Sequence, residues 1–393
     1  MEPWCPSAIE RAMERPMPKP LPFLCASALA LSLTACAGTI NNSTADTASN
    51  VTFIFTDSGV TAAGETDTGY EIDGTALTIT SSGTYTVSGS CADGSIKVKK
   101  STSGVTLVLD GLTLTSENTA AITCGKSSEV TILVSNGTED SLSDTEQNND
   151  DNYPENENAE NAVIKCKDGS LVTLCGDGEL TITANGKNGI KSGATTDEDG
   201  EASLTIRDLT LNIDAPVNDA INAEHLLNVE SGTLTIDAAD DAIHCDLVLN
   251  IGADGTDGPT IDACSSAGDG FDSNGDLTIT GDTVIVWTAN TADNEPPDAD
   301  GTITVSGGTV LAAGGSSGMG MGGGFPGGGQ KPDGEPPESF DGQMPNGEKS
   351  ELPDGEVPEM PSGERPTPPS GQGSPADGNA PAGDSTSDTT PTA

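Results

Sequence analysis

From Val51 to about Ala313 the chain alternates apolar and polar positions in short bursts, each too brief for a helix and each closed by turn residues. Val105–Leu109, Leu180–Ile182, Leu204–Ile206, Leu234–Ile236 and Leu277–Ile279 all place an apolar residue at every second position, the period of a half-buried strand. Between them one phrase returns: a polar or small turn residue, a small residue, then an apolar one. It reads Ala120-Ala121-Ile122, Asn161-Ala162-Val163, Asn188-Gly189-Ile190, Asn218-Asp219-Ala220-Ile221, Asp240-Asp241-Ala242-Ile243 and Asp269-Gly270-Phe271. The apolar member steps from Ile190 to Ile221, Ile243 and Phe271, by 31, 22 and 28 residues. A period in this range, built of short strands, predicts a solenoid of β-coils. A propeller needs four strands per blade and aromatic signatures, and only 3% of the residues are aromatic. A β-sandwich is the alternative, but it gives no reason for the same phrase between so many successive strands.

Composition then divides the chain. Residues 1–35 read as a leader: Arg11, Arg15 and Lys19 precede an apolar run from Leu21 to Leu33, too short to span a bilayer. The run ends in Leu33-Thr34-Ala35-Cys36, a lipobox pattern in which the Cys36 thiol accepts a lipid, with translation starting at Met13 or Met17 as an alternative to Met1. Residues 36–50 read as a tether, 51–313 as the solenoid, and 314–393 as a disordered Gly/Pro-rich tail that cannot bury a core. Within the solenoid, residues 136–160 are acidic and lack an apolar period, and are expected to lie outside the stack. Cys124 and Cys245 follow an apolar phrase residue by two positions and Cys166 by three, and all are expected to stack as small core residues; a disulfide between neighbouring coils is the alternative. No CxxC spacing supports a zinc site.

The charge changes the picture most. A formal −47, from 62 acidic against 15 basic residues, argues against nucleic acid and against anionic membrane surfaces except through a lipid anchor. Equivalent turns of adjacent coils lie roughly 4.8 Å apart, so Asn218, Asp219, Asp240, Asp241, Asp269 and Asp272 are expected to form a carboxylate column. Ionised carboxylates that close repel one another unless a cation lies between them, and Ca²⁺ suits loose, all-oxygen ligation. The alternative is a ladder of Asx turns in which the same side chains accept backbone N–H groups. Lys167 and Lys191 follow the phrase in neighbouring coils and supply a basic spot. His225 and His244 read as turn residues, His244 beside the column. Trp287, Tyr70, Tyr85 and Tyr153 are too few for an aromatic sugar-stacking platform.

The ordered set SGTYTVSGSCADGSIKV (82–98), VTLVLDGLTLTS (105–116), VTILVSNGTEDSLSD (130–144), NGIKS (188–192), DDAIH (240–244), GDGFDSNGDLTITGDTVIV (268–286) and GTITVSGGTVLAAGGSSGM (301–319) resembles a family of secreted bacterial carbohydrate-binding proteins. They are calcium-containing right-handed parallel β-helices, similar in fold to pectate lyases, often lipoproteins with Gly/Pro-rich tails, and a relative binds cellulose and polygalacturonate. The resemblance, over roughly residues 75–320, implies a right-handed parallel β-helix and a non-catalytic, calcium-dependent partner of acidic or cell-wall polysaccharide, held as a monomer on the outside of a bacterial cell. Two other functions fit the residues. A calcium-dependent pectate-type lyase would use Lys191 as its base. A structural surface adhesin would need no glycan at all.

Overall fold

The computed structural model describes residues 49–64, 68–197, 200–253, 257–280, 283–290 and 294–315. The leader, Cys36, most of the expected tether and nearly all of the expected tail lie outside these residues. The first strand, Ser49–Thr56, begins two residues inside that tether, and the last ends at Ala313.

The described fold is all-β and almost entirely parallel. From Ile122 onward successive layers each contribute three strands, and each strand pairs in register with its equivalent in the next layer; before that, the single strand Val105–Ser116 serves both outer ladders. A ten-stranded sheet, here the narrow sheet, stacks Ser95–Val98, Ile122–Cys124, Ala162–Cys166, Asn188–Ser192, Ile221–Ala223, Ile243–Cys245, Phe271–Ser273 and Pro297–Ala299 in that order. The remaining strands form an 18-stranded sheet with two parallel ladders. One runs Leu171–Gly176, Ser203–Arg207, Leu226–Val229, Val248–Ile251, Asp276–Ile279 and Ile303–Val305. The other runs Glu179–Thr183, Thr210–Ala215, Gly232–Ala238, Pro259–Ser265, Thr283–Thr288 and Thr309–Ala313. This is a solenoid-like stack.

The recurring phrase is the entry into each narrow-sheet strand. Ile190, Ile221, Ile243 and Phe271 are register partners and fully buried. Each fully buried aliphatic side chain contributes about 1.5–3 kcal/mol, whereas exposed ion pairs contribute about 0–1 kcal/mol, so the stack rests on its apolar rows. The small residue of the phrase is required by the neighbouring layer: a Cβ on Gly189 would stand 2.5 Å from the Ala220 carbonyl oxygen, and one on Gly270 2.3 Å from that of Pro296. Cys124 and Cys166 do stack, as in-register free thiols in adjacent layers, with no disulfide between them.

The N-terminal end is closed by two antiparallel pairs, Ser49–Thr56 with Gly59–Gly64 and Tyr70–Asp73 with Ala76–Ile79. Tyr85 is buried there, its hydroxyl donating to the Ser81 carbonyl at 3.0 Å, and Phe53 packs edge-on against Tyr70 at 4.9 Å. Two of the tyrosines thus serve the cap, not a sugar platform.

Two sequence expectations are corrected. The phrase in the narrow-sheet strand Ala162–Cys166 is Ala162-Val163-Ile164, one residue later than Asn161-Ala162-Val163, because Ile164 pairs with both Ile122 and Ile190. Asn161 instead takes a left-handed turn conformation, φ 59°. The segment 136–160 is not wholly outside the stack either. Glu139–Asp144 is a sheet strand whose Leu142 pairs with Leu114 and Ile182. Its other inward positions are Asp140 and Asp144, which hid the period. Each is compensated: Asp140 accepts the Leu112 N–H at 2.6 Å, and Asp144 accepts those of Asn185 and Gly186 at 2.7 and 3.0 Å.

Asn148 ties the following loop to this strand. Its Nδ2 donates to Asp144 Oδ2 and the Ala162 carbonyl at 2.8 and 2.9 Å, and its Oδ1 accepts from the N–H groups of Glu160 and Asn161 at 2.7 and 3.2 Å. All four bonds are lost in Asn148→Ala, and buried partners are left unsatisfied. A loss of roughly 3 kcal/mol is expected, measured as a lower urea midpoint at unchanged slope.

Candidate functional site

The outward row of the narrow sheet carries the concentrated charge. Register places Lys97, Thr123, Lys165, Lys191, Asn222, His244, Asp272 and Asp298 one above the next. The row is cationic at one end and anionic at the other. The whole solenoid segment follows this division: its lysines and arginines are Lys97, Lys99, Lys100, Lys126, Lys165, Lys167, Lys187, Lys191 and Arg207, with none from 208 to 313.

At the acidic end, the turn residues Asp219, Asp241 and Asp269 stack as expected, but each gives one oxygen to the backbone of the next layer. Asp219 Oδ1 accepts the Asp241 N–H at 3.2 Å, Asp241 Oδ1 that of Asp269 at 2.7 Å, and Asp269 Oδ1 that of Glu295 at 2.6 Å. This is the Asx ladder, so these side chains hold the turns whatever else they do. Asp219 is buried, and its Oδ2 is taken by Asn222 Nδ2 at 2.7 Å. Asn218 donates to Asn188 Oδ1 at 2.8 Å. Asp240 is an exposed residue in register with Asn218, one step before the ladder. Among the described residues, neither Asp219 nor Asp240 belongs to a group of three or more converging acidic or histidine side chains.

The convergence lies nearer the C-terminal end. One oxygen from each of Asp269, Asp272 and Asp298 lies within 4.8 Å of the others, and Asp241, His244 and Asp272 form a second such group that shares Asp272. Asp298 was missed because its phrase reads Asn294-Glu295-Pro296-Pro297-Asp298, with two prolines where a small and an apolar residue are expected; the 26-residue step from Phe271 to Pro297 was the signal that could have found it.

The electrostatics of the cluster are those of carboxylates short of a cation. Burial, with Asp241 and Asp240 nearby, pushes Asp219 up to about 6. Burial, with Asp241, Asp272 and Asp298 nearby, pushes Asp269 up to about 7. Asp240 and Asp298 are raised for the same reasons. His244 is raised as well, which for an imidazole favours the charged form: hydrogen bonds to Asp241, Asp272 and Asp246 push it up to about 11.

At the basic end the register corrects the lysine pair. Lys165, not Lys167, is the in-register neighbour of Lys191. Lys167 lies past the strand and pairs with Glu160 at 2.6 Å, while Lys191 pairs with Glu224 at 3.1 Å. Lys165 is half-buried, and burial together with the Lys191 charge lowers its pKa. Lys187 pairs with Asp151 of the loop.

Residues 73–318 match the family described as carbohydrate-binding domain-containing protein, and the chain belongs to that family. A relative of the same description from Acetivibrio thermocellus is 37% identical over 118 residues, which is 28% of this chain and 38% of the relative, so the match spans well under half of that protein. Among solved structures, a gadolinium derivative of the polysaccharide lyase-like protein from C. thermocellum is 24% identical, covering 68% of this chain and 96% of that one, with a TM-score of 0.40.

Proposed function

We propose that this carbohydrate-binding chain is a right-handed parallel β-helix, lipid-anchored outside a bacterial cell, that binds acidic polysaccharide without cleaving it. The observation that carries the reading is the divided charge of the narrow sheet. A polyuronate lying along the stack axis meets lysines at one end. At the other end it meets carboxylates that repel it until a divalent cation bridges them to its own carboxylates. Asp269, Asp272 and Asp298 offer an all-oxygen donor set of the kind Ca²⁺ takes, and these residues would hold it. Calcium would supply charge inversion there, while Lys97, Lys165 and Lys191 would contact uronate carboxylates directly. The right hand follows from the strong preference of parallel crossovers.

The test is retardation of the full chain in gels cast with polygalacturonate and calcium. Lys165→Ala with Lys191→Ala is expected to weaken binding by about tenfold or more, since two charge-assisted contacts are lost. Parental retardation of that variant would overturn the reading. The lyase alternative has one observation in its favour: Lys165, with its lowered pKa, is a better base than Lys191, whose ammonium is engaged by Glu224. Ultraviolet absorbance from unsaturated uronate in the same mixtures, lost in Lys165→Ala, would establish it.

A further inference from the structure

We propose that His244, Asp241 and Asp272 form a site for a borderline divalent cation of the zinc class, chemically distinct from the all-oxygen set beside it. The argument starts from backbone placement. His244 and Asp272 are register partners on adjacent narrow-sheet strands, and Asp241 stands three residues before His244 at the turn. The register thus aims three donors at one point. His244 Nδ1 lies 3.3 Å from Asp241 Oδ2 and 2.6 Å from Asp272 Oδ2. A tetrahedral zinc ion with bonds of about 2.0–2.1 Å sets its donors roughly 3.3 Å apart. The first edge therefore already fits, and the second opens by less than an ångström when a metal takes the place of the Nδ1 proton.

The far side of the ring is built as metal-binding imidazoles require. Nε2 faces Asp246 Oδ1 at 3.1 Å, and that oxygen also accepts from Asn274 Nδ2 at 2.8 Å. A carboxylate on the non-ligating nitrogen keeps a proton on Nε2 while a metal replaces the one on Nδ1, and raises the basicity of the ligating nitrogen. Asp241 is likewise held in place, since its Oδ1 carries the Asp269 N–H and leaves Oδ2 for the metal. The three ligating side chains are only 17–20% exposed, which leaves one side open for water or a sugar hydroxyl.

An imidazole nitrogen decides the metal class. Ca²⁺ and Mg²⁺ take oxygen, whereas one imidazole with two carboxylates suits Zn²⁺, Co²⁺ or Mn²⁺. Because Asp272 belongs to both groups, its carboxylate would bridge this ion and the calcium proposed at Asp269 and Asp298. The inference does not depend on that calcium or on any glycan.

The test is titration of the full chain with Co²⁺ in calcium-containing buffer, followed by visible absorption and then displacement by Zn²⁺. One equivalent with a ligand-field band is expected. His244→Gln should weaken binding at least tenfold and change the band. Asp246→Asn, which removes no ligand, should weaken it by about 10–100-fold; circular dichroism checks that both variants fold, and the second keeps the test open if the first does not. The proposal is overturned if Co²⁺ binds His244→Gln and Asp246→Asn as it binds the parent, if the parent takes up no Co²⁺, or if calcium displaces it at equal concentration.

Discussion

The calcium-free chain is expected to melt at a higher temperature at about pH 5 than at about pH 7.5, the reverse of ordinary acid destabilisation. The sign follows from the direction of the shifts. Asp219 and Asp269 titrate in the folded chain near 6 and 7, against 3.8 for an unperturbed carboxyl. Between those values the folded state binds more protons than the unfolded one, so stability rises as pH falls through the folded pKa, with the gain complete below the unfolded one. Asp144, Asp240 and Asp298 shift the same way. His244, raised from 6.5 to about 11, contributes stability that is fully present below 6.5 and is lost as pH climbs toward 11. It therefore reinforces the trend. Asp151, lowered by Lys187, opposes it from an exposed position where ion pairs contribute little.

With Asp269 discounted for its half-exposed carboxylate, the combined gain is about 2 kcal/mol, or roughly 4–8 °C in a domain of this size. Differential scanning calorimetry in excess chelator reads it directly. A melting temperature that falls steadily from about pH 7.5 to about pH 5 would show that the turn carboxylates are not electrostatically frustrated. In saturating calcium the trend should weaken, because protons then compete with the ion for the oxygens of Asp269 and Asp298.

Much of this architecture was legible in the chain because a parallel stack writes itself as repetition. Ile190, Ile221, Ile243 and Phe271 mark four consecutive narrow-sheet strands despite their uneven spacing along the chain. The same logic failed where a layer keeps its geometry and changes its residues. Asp140 and Asp144 point inward with both carboxylate oxygens hydrogen-bonded, Asp140 by the Leu112 N–H and the Thr138 hydroxyl, so an acidic segment concealed a core strand. Pro296-Pro297 concealed the last narrow-sheet layer and with it Asp298. The candidate site was legible as a column and illegible as a set of ligands. Position along the chain fixes which residues stack, but which oxygen of Asp219, Asp241 or Asp269 is spent on a backbone N–H is set by the neighbouring layer. The one-residue slip at Asn161 had the same origin: that residue occupies the turn, and with it Lys165 was passed over for Lys167.

Calcium is expected to raise the melting temperature of the full chain, and Asp298→Asn to remove about half of that gain. An ion bound only by the folded state stabilises it by mass action, about 2.7 kcal/mol at a hundredfold excess over the dissociation constant. That corresponds to roughly 5–10 °C. Asn at 298 keeps the shape and one oxygen but removes a charge from a three-carboxylate set, so a tenfold loss of affinity is expected. At the same calcium concentration this leaves about 1.4 kcal/mol. Asp298 lies at the last narrow-sheet strand, Pro297–Ala299, where few layers depend on it, and the chelated variant should melt near the chelated parent. Asp240→Asn separates the structural placement from the column inferred by spacing alone. Its exposed carboxylate stands outside the converging set, so the calcium-dependent shift should persist. Loss of the shift in Asp240→Asn with its retention in Asp298→Asn would move the ion back to the turn column. Equal melting curves for the parent in calcium and in chelator would remove calcium from this protein, and leave the stacked aspartates as holders of turns.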